Sequence, residues 1–338
     1  MSLATKYRPK TFQDVCAQEI VTKILDNQLK AGTFAHNYLF IGPSGCGKTT
    51  LARILADKIN DGCGAPIEID AASNNGVDAV RELVEQSRER SISGTYKIII
   101  CDECHMITPQ GWAAFLKCLE DTPKYTIFIF CTTDPQKVPE TIQNRLQKFV
   151  LTKISATVIE RRLNQIAASE GFSDYEDTTK FIADSCDGCM REAISMLEKV
   201  SEYSKGMKLE QTVKILGKTP YSAYFYITNA IIDGDHAKVL KAVDKLDSNG
   251  VSMIGFVSDY AKFLLNVCKY CVFGDIGFTT IPASLKKDLD FAVGIEDNVK
   301  YYDYLMSGVM ALKQGAAKTA DAKTNIEVGL IDLMRNYR

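Results

Sequence analysis

Gly42-Pro43-Ser44-Gly45-Cys46-Gly47-Lys48-Thr49-Thr50 has the spacing of a phosphate cradle, with glycines at 42 and 47 followed by a lysine and a hydroxyl residue. Successive backbone N–H groups in such a loop can curl around phosphate oxygens, and the Lys48 ammonium can reach the outer phosphates. The Thr49 hydroxyl suits Mg²⁺. Two carboxylates follow at Asp102-Glu103. Asp102 can hold the hydration shell of Mg²⁺, and Glu103 can orient or deprotonate an attacking water. Thr132-Thr133-Asp134 offers hydroxyls that could sense a terminal phosphate. Further along stand two guanidiniums, Arg145 in Ile142-Gln143-Asn144-Arg145 and Arg191 after Gly188-Cys189-Met190. Taken singly, each arginine reads as a surface or capping residue. The set implies a nucleoside triphosphate pocket with bound Mg²⁺.

These residues need a scaffold that brings distant segments to one edge. Tyr38–Ile41 reads as a buried strand leading into the loop, and residues 49–60 as the helix leaving it, so phosphate would meet a positive helix end. Residues 18–31 have helical periodicity. Short strands are expected at 66–70, 97–101, 126–131 and 149–151, with helices over about 76–90 and from Thr108-Pro109 to Leu119. The 97–101 run has few polar interruptions, as in a parallel sheet covered on both faces. The fold class is therefore α/β, a doubly wound parallel sheet with its chemistry at the carboxyl ends of the strands. After residue 152 only helices are expected: short ones over 155–215, including 157–169 and 190–204, then longer ones at 220–232, 235–247, 250–273, 298–313 and 318–336. Three domains follow: 1–152 α/β, 153–216 helical and 217–338 helical.

The 338-residue chain carries a net charge of −2, which excludes a chain-wide basic coat but not a local basic face. It has no apolar run long enough for a membrane span, and its first residues lack a secretory core, so a cytoplasmic protein is expected. Eleven cysteines in such a chain do not suggest a disulfide framework. Three C-x-x-C pairs stand at 101/104, 186/189 and 268/271. Each is read as small buried hydrophobes rather than as zinc or redox ligands.

The order of these motifs resembles AAA+ ATPases, and within them clamp-loader subunits of the bacterial DNA polymerase III gamma/tau kind. The resemblance rests on Lys6–Phe12, His36–Phe40, Glu68–Ser73, Asp102–Met106, Thr132–Pro139 and Gly188–Ala193, which together span most of residues 1–205. It implies a nucleotide-binding module, a small helical lid and an oligomerisation collar. By resemblance, Tyr7, Arg8 and Pro9 lie by the adenine and phosphates. Lys48, Thr49, Asp102 and Glu103 form the hydrolytic centre, and Thr133 is the first sensor. Arg145 acts on a neighbour's ATP, and Arg191 is a second sensor that moves the lid.

Two departures from the family pattern stand out. The four-cysteine zinc module is absent, since only Asn60–Pro66 occupies that interval, so no zinc is expected. The usual Ser-Arg-Cys around the finger is Asn144-Arg145-Leu146 here. No long tail follows Arg338, and together these features suggest a divergent bacterial or phage form, working in the bacterial or host cytosol.

The implied function is a clamp-loader ATPase, using ATP and Mg²⁺ to open and load a sliding clamp onto primer–template DNA. Its partners would be other loader subunits in a ring-like, pentameric assembly, the clamp and DNA held without regard to sequence. Helix N-termini after Ser73-Asn74-Asn75 and at Thr108-Pro109-Gln110 are candidate DNA contacts. Arg88 and Arg90 are further candidates, though a solvated helix face is the favoured account of them. The alternatives are another AAA+ DNA motor of the branch-migration type, or a scaffolding loader subunit.

Overall fold

The computed structural model describes residues 2–282, 285–294, 298–316, 319 and 321–336. The chain divides into two compact units, Met1–Arg161 with Cys186–Ser195, and Arg162–Ser185 with Met196–Arg338.

In the first unit, helices α1 (Leu3–Lys6) and α2 (Glu19–Ala31) precede strand β1 (Asn37–Ile41). Then come α3 (Lys48–Ile59), β2 (Ile67–Asp70), α4 (Val77–Ser87), β3 (Lys97–Asp102), α5 (Pro109–Glu120), β4 (Thr126–Thr132), α6 (Glu140–Gln143) and β5 (Gln147–Val150). The five strands form one sheet in the order β2-β3-β4-β1-β5, with every neighbouring pair parallel. Register places Ile41 beside Thr132 and Cys101 beside Phe130. The exits of β1, β3 and β4 therefore lie side by side at the carboxyl edge, where a doubly wound sheet binds ligands.

Side chains alternate across this sheet, and each face is covered. Tyr38, Phe40, Ile98, Ile100, Ile127 and Ile129 pack with Leu25 of α2 and with Leu51 and Leu55 of α3. Leu39, Ile99, Cys101, Phe128 and Phe130 pack on the other face with Val80 and Leu83 of α4 and with Trp112 and Phe115 of α5. Phe115 meets Phe130 edge-on at 5.4 Å between ring centroids. Every residue of β4 is buried, as its central position demands. Burying one such phenylalanine contributes about 1.5–3 kcal/mol. As expected, Thr108 caps α5, its hydroxyl accepting from Gly111 N at 3.2 Å, with Pro109 as the first helical residue.

Helices α7 (Ala156–Ser169), α8 (Glu176–Ser185), α9 (Met190–Tyr203) and α10 (Leu209–Ile215) follow. The second unit continues with α11 (Tyr221–Ile232), α12 (His236–Ser248), α13 (Met253–Phe273), α14 (Lys286–Val293), α15 (Asn298–Ala316) and α16 (Ala322–Asn336). The short α14 goes beyond the sequence reading, which expected nothing between 273 and 298. The helix expected over 318–336 is described from Ala322 to Asn336, and residues 318 and 320 lie outside the described residues. The core of this unit is aromatic: Tyr224 stacks on Phe256, Tyr260 and Phe263 at 6.0, 5.7 and 5.3 Å. Tyr260 satisfies its hydroxyl on Thr228 Oγ1 at 2.9 Å. Ser252 and Gly274 bound α13, the first by accepting from Gly255 N and the second at φ 65°. Among the described residues, no helix is long and apolar enough to cross a membrane.

Candidate nucleotide site

The loop after β1 turns on two glycines at positive φ, Gly45 at 68° and Gly47 at 108°, conformations that a side chain would strain. They allow the backbone to wrap before α3 begins at Lys48, one residue earlier than the sequence reading placed it. Gly42 is constrained differently: a Cβ there would lie 2.8 Å from Leu151 O. Pro43 and Ser44 continue the loop, Cys46 is buried beneath it, and Thr50 follows in the first turn of α3.

Lys48 is only 5% exposed, and its Nζ donates to Gly42 O at 3.0 Å and Pro43 O at 3.1 Å. The ammonium is thus held inside the loop by carbonyl dipoles. Thr49 Oγ1 donates to Asp102 Oδ2 at 2.6 Å, while Glu103 N donates to Asp102 Oδ1 at 3.0 Å. A hydroxyl and a carboxylate that meet from the exits of β1 and β3, on either side of β4, form an oxygen donor set suited to Mg²⁺. The positive-φ loop and the buried lysine equally fit a polyphosphate.

Glu103 sits at φ 45°, a left-handed conformation that costs a non-glycine residue about 1–2 kcal/mol. There its carboxylate accepts from Thr133 Oγ1 at 3.2 Å. The expected pair at the ends of β3 and β4 is therefore brought together. His105 was not singled out in the sequence, yet its Nδ1 lies 3.4 Å from Glu103 Oε2 and 3.2 Å from Thr132 Oγ1. Its position in a single helical turn directly after the strand was the available signal.

Gln18 is the second residue that the sequence reading missed. It is 3% exposed, and its Nε2 donates to Thr152 O at 2.9 Å and, more weakly, to Cys46 O at 3.4 Å. Thr152 N returns a bond to Gln18 Oε1 at 3.2 Å. One side-chain amide thereby ties the phosphate loop to the segment that leaves β5.

The remaining expected residues are more dispersed. Tyr7 is half-buried as the C-cap of α1, with the Lys6 ammonium 5.4 Å from its ring, and Arg8 and Pro9 are half-buried beside it. Arg145 donates to Thr141 O and ion-pairs with Glu120. Arg191, the second residue of α9, is exposed and forms no ion pair among the described residues. Just ahead of it, Cys189 is seated on the loop: a Cβ built on Gly45 would lie 2.2 Å from Cys189 Sγ. This departs from the expectation of a buried, structural 186/189 pair, because Cys186 is buried but Cys189 only half so. Cys101 and Cys104 are buried as expected, and Cys268 and Cys271 are half-buried against the helical core. Among the described residues, no group of three or more His, Cys, Asp or Glu is placed to hold a metal.

Of the candidate DNA contacts, Thr108 spends its hydroxyl on its own helix, and its N–H donates to Asn75 O at 3.2 Å. The N-termini of α4 and α5 are thus neighbours. Arg90 stacks its guanidinium over Tyr125 at 5.7 Å.

Comparisons with known proteins bear on the family and the fold of the chain. A family model described as DNA polymerase III, delta subunit, matches residues 64–155. The chain is 35% identical over 291 residues to DNA polymerase III subunit gamma/tau of Mycoplasma genitalium, covering 78% of this chain and 48% of that protein. It is 30% identical over 287 residues to DNA polymerase III subunit gamma of Buchnera aphidicola, covering 78% and 79% respectively. The chain thus spans about half the length of the Mycoplasma relative. In fold it is similar to the RuvB Holliday junction branch migration motor of Thermotoga maritima, with TM-score 0.52 and 18% identity over 67% of this chain and 79% of that one.

Proposed function

The chain belongs to the DNA polymerase III gamma/tau family, and we propose that it is an ATP-hydrolysing clamp-loader subunit that opens a sliding clamp and loads it onto primed DNA. The observation that carries the ATP reading is the junction of Lys48, Thr49 and Asp102 at the carboxyl edge of the sheet. In this reading the loop N–H groups and Lys48 bind the phosphates of ATP. Thr49 and Asp102 would hold Mg²⁺, which would supply charge neutralisation of the phosphates. Glu103 positions and deprotonates the attacking water, and its bond from Thr133 orients the carboxylate. Tyr7, Arg8 and Pro9 line the adenine side, and Arg191 follows the state of the terminal phosphate.

Arg145 is proposed as the residue that reaches a neighbouring subunit's ATP. Such an arginine typically contributes on the order of 10³–10⁵ in rate, so assembly would gate turnover. Residues 1–152, 153–216 and 217–338 would act as motor, lid and collar in a ring of five subunits working in the cytoplasm. The adjacent N-termini of α4 and α5 would offer backbone N–H groups to DNA phosphates.

Against a branch-migration motor stands the C-terminal region, where every described element from α11 onward is helical. Against a pure scaffold stands the complete set Lys48, Asp102, Glu103 and Arg145. The deciding measurement is ATP turnover with and without primed DNA and the cognate clamp, with Lys48→Ala as control. Stimulation by DNA and clamp together is the expected result. Turnover indifferent to both would overturn the loader assignment and leave a generic ATPase.

A further inference from the structure

The nucleotide chemistry makes no use of the Cys186/Cys189 pair, yet the fold gives it a distinct position. Between the two cysteines, Asp187 and Gly188 both adopt positive φ, 48° and 85°. Cys189 N donates to Cys186 O at 2.9 Å, closing a four-residue turn. A turn of this kind holds its outer Cα atoms within about 7 Å, which overlaps the roughly 4.4–6.8 Å that a disulfide spans. Cys189 immediately precedes α9 and accepts from Ala193 N at 3.0 Å, so its thiol stands at the positive end of a 14-residue helix. Its sulfur also fills the space over Gly45.

The other thiols are placed differently. Cys46 is buried, with its Sγ 3.0 Å from where a Cβ on Gly42 would stand, and packs into the core beneath the sheet. Cys101 and Cys104 are enclosed on all sides. Cys268 and Cys271 lie within the regular helix α13, far along the chain from the loop.

We propose that Cys186 and Cys189 form a dithiol site for exchange with small disulfides, arranged so that closing the bond draws the Cys189 sulfur off Gly45 and loosens the nucleotide loop. The consequence for nucleotide rests on the ATP assignment above; the thiol chemistry does not. Half-buried Cys189 is the entry sulfur. Its thiolate attacks one sulfur of a small disulfide such as oxidised glutathione, expelling one thiol and forming a mixed disulfide. Cys186 then loses its proton to solvent and attacks Cys189 Sγ, and the second small thiol leaves. Two electrons pass from the pair to the small disulfide, and two thiols are released for one bond formed. Burial pushes the Cys186 thiol up to about 11, which makes it the slow, resolving partner. With that bond closed, Arg191, two residues on, would sit on a turn pulled away from the loop.

The test uses the full chain, equilibrated over a series of reduced-to-oxidised glutathione ratios and quenched with N-ethylmaleimide. Thiols are mapped by peptide mass spectrometry, and binding of a fluorescent ATP analogue is read on the same samples. The 186–189 peptide should lose both alkylatable thiols to one internal disulfide. ATP affinity should fall about tenfold and return with dithiothreitol. Cys186→Ser, which leaves Cys189 on Gly45, should stop at a glutathione adduct on Cys189. Should both cysteines remain alkylatable at ratios that modify exposed Cys63, the proposal is overturned. A disulfide that forms with less than about a twofold change in affinity overturns it as well. The wild-type mapping decides even if Cys186→Ser does not fold. Failure of the reduced chain to bind ATP is seen before oxidant is added and counts against the ATP assignment alone.

Discussion

Thr49 and Asp102 stand 53 positions apart in sequence and share a hydrogen bond of 2.6 Å, hydroxyl to carboxylate, across the exit of β4. The bond exists because β4 inserts between β1 and β3 in the sheet, leaving their carboxyl ends within side-chain reach. It fixes where a divalent cation would find protein oxygen. Asp102→Asn keeps the shape and removes the charge. ATP affinity measured with Mg²⁺ and with EDTA should then converge, with Mg²⁺ affinity about ten- to a hundredfold weaker. An unchanged Mg²⁺ dependence would remove Asp102 from the metal role.

Glu103 is held in a strained conformation beside Thr133, an arrangement suited to water activation. Glu103→Gln should slow single-turnover hydrolysis by about 10²-fold or more while ATP affinity stays within about threefold. Loss of binding in step with turnover would show that the residue acts on ground-state affinity instead.

Gly45 tolerates no side chain for two separable reasons, its φ of 68° and the Cys189 sulfur 2.2 Å from a would-be Cβ. Gly45→Ala should weaken ATP binding and lower stability by about 1–3 kcal/mol. Adding Cys189→Gly removes the collision but not the strain, so recovery should be partial in a double-mutant cycle. Strict additivity of the two changes would mean that the contact has no energetic weight.

Asp184, at the end of α8, has its carboxyl raised above the ordinary range. Burial is the largest cause, and it is offset by the Thr280 hydroxyl and Lys262, with Asp259 and Lys269 also nearby. A raised folded value means that the neutral form favours folding. That stability is fully present below the ordinary carboxylate value and is lost as pH rises through the raised one. Asp184→Asn should therefore melt higher than wild type near pH 7, and the gap should close as pH falls toward about 4. Melting curves for both across that range provide the check, and a gap independent of pH would refute the linkage.

What the sequence revealed, it revealed through local spacing. Glycines at fixed offsets from Lys48 and Thr49, and an apolar run ending in Asp102-Glu103, carry their meaning within a few residues. Gln18 could not be read this way, since its partner Thr152 lies 134 residues on and only the folded sheet joins them. His105 had a local cue, but its importance depends on Thr132, which arrives on a different strand. The three C-x-x-C pairs look alike as strings. Only topology separates a pair enclosed by the sheet from one seated on the loop. Helix α14 was missed because eight residues give too little periodicity to distinguish it from loop.

If Arg145 acts across a protomer boundary, as proposed, its pairing with Glu120 bears on how protomers would meet. A guanidinium already neutralised by its own chain is a poor lure for stray polyanions. In that reading a stronger anion in the right place would have to displace the carboxylate. Glu120 would thereby work as a safety catch, and the freed acid would become a new charge for the arriving surface to accommodate.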